Sequence, residues 1–324
     1  MDEFSFINSI KQHTYQQSSV VKGIGDDAAV FRQSSQDIVI AKDMFVEGVH
    51  FSRQTMEAYH IGYRALAANL SDLAAMGATP AFYLVAIAIP DNWSSLELDQ
   101  IYQGMKVLGK KYKMDLIGGD TVSSSELTVS VTVIGYVGSG GARYRNSAQD
   151  GDIVFVTGTL GDSQAGFHIL NNPGNYKNEA YFIKRHRMPT ARIEFVKALK
   201  DCTRLSLNDI SDGIASEATE IAEDSDVHIH LYEEQIPVSK LFTQFPPNLQ
   251  HKWKYFGGED FELVGTIPKN EWSIVQQAAI STNIRLSQIG YVTAASNVKD
   301  RVFLHRRNGT IERLDKKGFN HLRR

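Results

Sequence analysis

Residues 127–152 read LTVSVTVIGYVGSGGARYRNSAQDGD. Over 127–137 apolar and polar side chains alternate, the two-residue period of a strand with one buried face. Over 138–152 the chain turns polar and glycine-rich, the composition of a connection between folding units. The division is placed there, with an N-terminal domain over 1–145 and a C-terminal domain over 146–324. A length of 324 residues suits two domains, each able to bury its own core.

Upstream, Phe4, Ile7 and Ile10 have helical spacing, and short strands are expected at 29–32 and 37–41. A helix over 57–76 is stopped by Gly77, with Pro80 beyond it. A buried strand follows at 82–89. Ser94 and Glu97 make a capping-box pattern ahead of a helix that repeats Leu98, Ile101, Met105, Leu108 and Tyr112. Leu116 and Ile117 read as a short strand ending in Gly118-Gly119-Asp120. Downstream, strands are expected at 153–157, 205–210, 227–231 and 261–267. Helices are expected at 162–170, from Pro189 to 199, and from Gly213 to 222. Asn308-Gly309 is a hairpin signal. Strict βαβ alternation is absent, so the fold class is α+β.

Lys plus Arg is 34 and Asp plus Glu is 37, a net charge of −3, with 42% hydrophobic and 22% charged residues. These values argue against disorder, collagen and coiled coil, and no basic excess marks a nucleic-acid partner. The single cysteine, Cys202, cannot close an intrachain disulfide, which fits a reducing compartment. The start, MDEFSFINSIKQH, lacks the pattern of a signal peptide, and the longest apolar run, 81–90, falls short of the ~18 residues of a membrane span. A cytoplasmic protein without a membrane partner is expected.

Aspartates recur beside glycines or at element ends: Asp26 and Asp27 in GIGDDA, Asp43 after IVIA, Asp72 in NLSDLAAMG, Asp120 in IGGDT, and Asp209 and Asp212 in NDISDG. Any one of them is equally a turn or cap residue. Asp72 is the most telling, because a carboxylate on an Ala/Leu-rich helix is costly to bury without a partner. Two bare carboxylates about 4 Å apart repel by roughly 4 kcal/mol at an effective dielectric of 20. Convergence of the set would call for a divalent cation, and oxygen ligands without a Cys or His cluster point to Mg²⁺. His50 near Asp43, and Arg143 and Arg145 in the connection, are candidate phosphate contacts. The run Lys184-Arg-His-Arg187 reads as a solvated helix face.

Gly23-Ile-Gly25-Asp-Asp-Ala28 fits G-x-G-x-x-A, with Asp43 twenty residues on, but the interval before the next strand is too short for the helix a dinucleotide site needs. No Walker loop and no G-x-S-x-G elbow occur.

The ordered blocks GIGDDAAVF (23–31), VEGVHF (46–51), ANLSDLAAMGATP (68–80), LIGGDT (116–121), VTGTLGDSQAG (156–166), RHRMPTAR (185–192), DISDG (209–213) and FGGEDFEL (256–263) resemble the thiamine-monophosphate kinases. These belong to the superfamily of aminoimidazole ribonucleotide synthetase, selenophosphate synthetase and the hydrogenase-maturation carbamoyl dehydratase. The resemblance implies a two-domain synthetase-like fold with N-terminal sheets paired in a homodimer and a C-terminal α/β sandwich. It implies ATP-dependent, direct phosphorylation of thiamine monophosphate, with Mg²⁺ as cofactor and K⁺ as a further candidate cation. Its metal ligands fall on Asp27, Asp43, Asp72, Asp120, Asp209 and Asp212, its nucleotide contacts on Tyr102, Gly119, Arg145 and Ser211, and its substrate contacts on His50, Glu259 and Phe319. One departure is Ala41-Lys42-Asp43 where the family usually carries hydroxyl residues before the aspartate; Lys42 is expected to offer a point charge to phosphate or to face solvent. Two rivals are another ATP-dependent synthetase of the superfamily and a non-catalytic nucleotide-binding regulator. The cysteine positions that the selenophosphate and carbamoyl enzymes would use are not cysteine here.

Overall fold

Two sheets carry the chain, and one helix lies between them. The computed structural model describes residues 20–22, 26–32, 35–296 and 301–316; the expected helix at Phe4, Ile7 and Ile10, the glycines Gly23 and Gly25, and Phe319 lie outside them. Among the described residues, β1 (Val20–Lys22), β2 (Ala29–Arg32), β3 (Gln36–Val46), β4 (Thr79–Ile89), β5 (Asp115–Ser123) and β6 (Thr128–Gly138) form a sheet ordered β1-β2-β3-β6-β4-β5. Only its β4–β5 pairing is parallel. The second sheet joins β7 (Ile153–Thr157), β8 (Ser206–Asp209), β9 (Val227–Tyr232), β10 (Leu263–Ile267), β11 (Leu286–Ala294), β12 (Val302–His305) and β13 (Ile311–Arg313) in the order β13-β12-β9-β11-β7-β10-β8. The class is α+β.

Helices α1 (Ala58–Ala75) and α2 (Ser95–Tyr112) pack on the first sheet. Glycine is required where they cross: a Cβ on Gly62 would lie 1.8 Å from the Ile101 carbonyl oxygen, and one on Gly104 would lie 2.0 Å from that of Tyr59. Both ends of the capping box at Ser94 and Glu97 form, and α1 stops at Met76 with Gly77 at φ +76°. Apolar burial runs unbroken from Val131 on β6 through Leu66, Leu70 and Leu73 on α1 to Leu207 and Leu263 in the second sheet. Each such fully buried side chain stabilises the fold by about 1.5–3 kcal/mol. Helix α1 is thus a shared wall, and polar groups on it can meet groups from either sheet. The second sheet carries α3 (Asp162–Asn171), α4 (Glu179–Arg187), α5 (Ile193–Lys197), α6 (Ile214–Asp224), α7 (Pro247–Phe256) and α8 (Trp272–Thr282).

Four expectations need correction. The strand at Leu116 does not end at the glycines; β5 continues to Ser123, because pairing with β4 overrides the local turn signal. Asp43 lies inside the eleven-residue β3 and does not end a strand. The helix expected from Pro189 to 199 is only Ile193–Lys197. Of Lys184-Arg-His-Arg187 only Lys184 is exposed as expected: His186 is buried, Arg185 pairs with buried Glu262, and Arg187 donates to the Thr55 carbonyl. Among the described residues, no helix is long and apolar enough to cross a membrane.

Candidate active site

The segment before β2, strand β3, helix α1 and the end of β8 bring four aspartates to the junction of the two sheets. Asp27, Asp72 and Asp209 each offer a carboxylate oxygen within 4.8 Å of the others. Asp43 is beside them: its charge pushes up the carboxyl of Asp72, and its backbone N–H donates to Asn69 Oδ1 (3.1 Å), one turn before Asp72 on α1. Burial raises the carboxyl pKa of Asp43. Burial does the same to Asp72, reinforced by Asp43, Asp209 and Asp27. Asp27 is also raised, by burial first, with Arg145 pulling the other way. Burial pushes Asp209 up to about 6.

Asp27 Oδ2 is buried without a hydrogen-bond partner among the described residues, and Asp209 Oδ2 has none of good geometry, although the Ser71 hydroxyl is near enough to pull the Asp209 carboxyl down. Buried, mutually repelling oxygen acceptors without donors are the environment a hard divalent cation satisfies. The residues present therefore fit Mg²⁺, with Asp27, Asp72 and Asp209 to hold it.

Arg145 reaches the same centre. It pairs with Asp27 and, through Nη1, with Glu220 Oε2 at 3.0 Å; its Nε lies 3.8 Å from Asp26 Oδ1. Arg143, the other candidate phosphate contact, is turned to the backbone of the C-terminal half. Its Nη2 donates to the carbonyls of Leu199 (3.2 Å) and Cys202 (3.1 Å), a structural tie.

Asp120 stands apart. Its register partner on β4 is Ala86, whose partner on β6 is Ser130, which pairs with Met44. Asp43 instead shares a row with Val131, Val85 and Gly119. Residues in one row share a sheet face, and neighbouring rows alternate. Asp120 is therefore exposed on the face opposite Asp43, with Met44 and Lys42. Lys42 Nζ lies 3.5 Å from Thr132 Oγ1. Tyr102 is half-buried on α2 against the N-terminal core. Val46 N–H donates to His50 Nδ1 at 3.1 Å, which leaves the neutral ring's proton on Nε2, and the ring stacks on Phe45.

On the C-terminal side two loops lock together. Glu259 N–H donates to the Ser211 carbonyl (2.6 Å), and Phe261 N–H donates to that of Ile210 (3.0 Å). Gly258 has no room for a side chain, since a Cβ would lie 2.2 Å from the Ser211 carbonyl oxygen. Candidate nucleotide contact Ser211, Asp212 and candidate substrate contact Glu259 are thus one rigid unit.

Glu217, passed over in the sequence, pins that unit. It is 3% exposed, accepts from Asp212 N–H (2.8 Å) and Asn208 Nδ2 (2.9 Å), and lies 3.3 Å from Ser211 Oγ. The signal for it was an acidic residue in the first turn of a helix opened by Ser-Asp-Gly. Asn69 was visible only as a neighbour of Asp72.

Residues 25–137 match the family described as AIR synthase related protein, N-terminal domain, and residues 149–302 match its C-terminal domain. The thiamine-monophosphate kinase of Bacillus subtilis (strain 168) is 45% identical over 330 residues, covering 100% of both chains. That of Escherichia coli (strain K12) is 36% identical over 307 residues, covering 92% of this chain and 91% of its own. The solved structure described as AaThiL complexed with AMPPCP and TMP has a TM-score of 0.84 at 30% identity, covering 99% of this chain and 97% of its own. Likeness along the whole length, over both sheets and the junction where the carboxylates meet, leaves one assignment: the chain belongs to the thiamine-monophosphate kinase family.

Proposed function

We propose that this chain transfers the γ-phosphoryl group of ATP directly to the phosphate of thiamine monophosphate, giving thiamine diphosphate and ADP. The γ-phosphorus bond to the β-phosphate oxygen breaks as a bond forms to an oxygen of the acceptor phosphate. The observation that carries the reading is the meeting of Asp27, Asp72 and Asp209, with buried oxygens lacking donors, between two folding units. Full-length relatives named for this activity support it.

The acceptor is a phosphate oxygen already ionised at neutral pH, so the chain needs no strong general base. It needs positioning and charge neutralisation. Asp27, Asp43, Asp72, Asp209 and Asp212 would hold Mg²⁺, which when bound would supply the cationic charge that lets two polyanions approach. Arg145, now paired with Asp27 and Glu220, would turn its planar fork to phosphate oxygens once a cation takes over the carboxylates, and His50 is assigned to the acceptor. Tyr102, Gly119 and Ser211 take the nucleotide. Glu259 is assigned to accept a hydrogen bond from the amino group of the substrate's pyrimidine, and Phe319, outside the described residues, is the candidate for stacking on one of its rings. We assign residues 1–145 mainly to ATP and metal binding and residues 146–324 mainly to substrate and phosphate, with Asp209, Ser211 and Asp212 crossing to the metal and nucleotide and His50 to the acceptor.

With Mg²⁺, ATP and thiamine monophosphate, ADP and thiamine diphosphate should appear in equal amounts, and ADP should fall to background without the acceptor. A non-catalytic nucleotide-binding regulator would show no acceptor-dependent ADP. Repeating the assay with and without K⁺ settles the monovalent cation.

The reading includes a homodimer. The first sheet has α1 and α2 on one face; elsewhere it leaves Met44 52%, Ile117 53% and Val122 52% exposed, and β5 is exposed along its whole length. A second copy on that surface would cover apolar area and bring Asp120 and Lys42 near a neighbour's site. Light scattering should give twice the chain mass; a monomer mass at assay concentration would remove this part of the reading.

A further inference from the structure

Among the described residues Arg64 is the largest side chain buried below 2% exposure, at 0%. A guanidinium without solvent is costly unless its partners are placed for it. One arm, Nη1, donates to the His186 carbonyl and lies 3.0 Å from His186 Nδ1. The other, Nη2, lies 2.5 Å from Glu259 Oε2, and the guanidinium carbon is 5.9 Å from the centre of the Phe261 ring. Burial, then Arg64 and Arg187, hold the imidazole of His186 well below its ordinary pKa, so His186 is neutral and Glu259 is the counter-charge.

Glu259 is constrained at its backbone too. It adopts φ +67°, a region L-residues rarely occupy, and its N–H is bonded to Ser211. Its side chain stays 29% exposed. The backbone is held, Oε2 is in ion-pair contact with Arg64, and the side chain keeps access to solvent.

Arg64 and Asp72 share helix α1. Eight residues at 1.5 Å each separate them by about 12 Å along the axis, on one side of the helix. One end of this buried rod grips Glu259, and the other delivers Asp72 to the carboxylate cluster. We propose that Arg64 is a positioning residue: it fixes the Glu259 carboxylate at a set distance along α1 from Asp72. The helix thereby sets the span between recognition of a ring-bound amino group and the site of phosphoryl transfer. This rests on the assignment of Glu259 to the substrate.

The test is steady-state kinetics of the full chain with ATP, Mg²⁺ and thiamine monophosphate, for Arg64→Met, Arg64→Lys, Glu259→Gln and Arg64→Met/Glu259→Gln. Arg64→Met should raise KM for thiamine monophosphate at least tenfold with KM for ATP within twofold of wild type. Arg64→Lys, which keeps a cation in the cavity, should recover part of the loss. The double variant should be no worse than Glu259→Gln alone. If Arg64→Met does not fold, Arg64→Lys carries the test, with a several-fold rise in the same KM and none in that for ATP. Both KM values rising together, or neither moving, overturns the proposal. If Glu259→Gln raises KM for thiamine monophosphate and the Arg64 variants do not, only the role of Arg64 fails. If Glu259→Gln leaves that KM unchanged, the substrate assignment fails and this inference with it.

Discussion

Asp72→Asn should lower turnover by about a thousandfold, roughly 4 kcal/mol of transition-state stabilisation, while the metal-free protein becomes no less stable. The two halves of this expectation share one cause. In the metal-free protein Asp72 is held among Asp43, Asp209 and Asp27, and burial together with their charges raises its carboxyl pKa well above normal. A raised folded-state pKa means that the folded protein binds the proton more tightly than the unfolded chain. The favourable contribution is complete below the unfolded value near 3.8 and is lost as pH rises through the folded value. Asn never ionises and escapes that loss. Thermal melts in EDTA should therefore show the Asn variant gaining on wild type as pH rises from about 4. Asp209, whose carboxyl is pushed up to about 6, should behave in the same sense in an Asp209→Asn variant. Added Mg²⁺ should reverse the order, because the wild type regains a ligand for the cation and the variant does not. Wild-type turnover in the Asn variant, or a metal-free melt several degrees below wild type, would remove the metal role from Asp72.

This behaviour could be anticipated in part because Asp72 advertises itself: a lone acid in Asn-Leu-Ser-Asp-Leu-Ala-Ala has little local reason to be there. Asp27 is marked by the glycine-rich GIGDDA and Asp209 by its place at a strand end ahead of Ser211-Asp212-Gly213. These signals are local, and local signals survive in one dimension. What stayed hidden depends on pairing across distance. Asp120 sits in a motif that reads like the others, yet the register through Ala86, Ser130 and Met44 turns it to the opposite sheet face. Its place could follow only from knowing which strands pair. Gly118-Gly119 reads as a stop, but an edge strand tolerates glycines when its neighbour supplies the ladder. Lys184 to Arg187 looked solvated because charge is normally exposed. The acids that hold these arginines, Glu57 and Glu262, are 130 and 77 positions away in the chain.

Glu262→Gln should cost on the order of 3–5 kcal/mol of stability, a large share of the 5–15 kcal/mol of a typical domain. Glu262 is fully buried beside the start of β10, with Arg185 Nη2 2.9 Å from Oε1, Arg192 Nε 2.6 Å from Oε2 and Thr157 Oγ1 2.7 Å from Oε2. Burial alone would raise its pKa; Arg192 and Arg185 outweigh it, and the net direction is downward. The amide keeps the shape and loses the charge, which leaves two part-buried guanidiniums facing a neutral group. For a unit of this size the melting temperature should fall on the order of 10 °C. Because the folded pKa is depressed, the contribution of Glu262 is present above the unfolded value of 4.5 and is lost as pH falls through the folded one. The gap between wild type and Glu262→Gln should therefore narrow in acid. Adding Arg192→Met to Glu262→Gln should recover part of the loss by removing one stranded charge. Arg185 also lies 3.4 Å from the Asp260 carbonyl, so the same variant should loosen the loop carrying Glu259 and raise KM for thiamine monophosphate at temperatures where the protein is still folded. A melt within about 1 °C of wild type at neutral pH would show that the two arginines find other partners. The loop holding Glu259 would then keep its braces at Arg64, at the Ser211 and Ile210 carbonyls, and at Asp260, which accepts from Gly161 and Ser163 N–H.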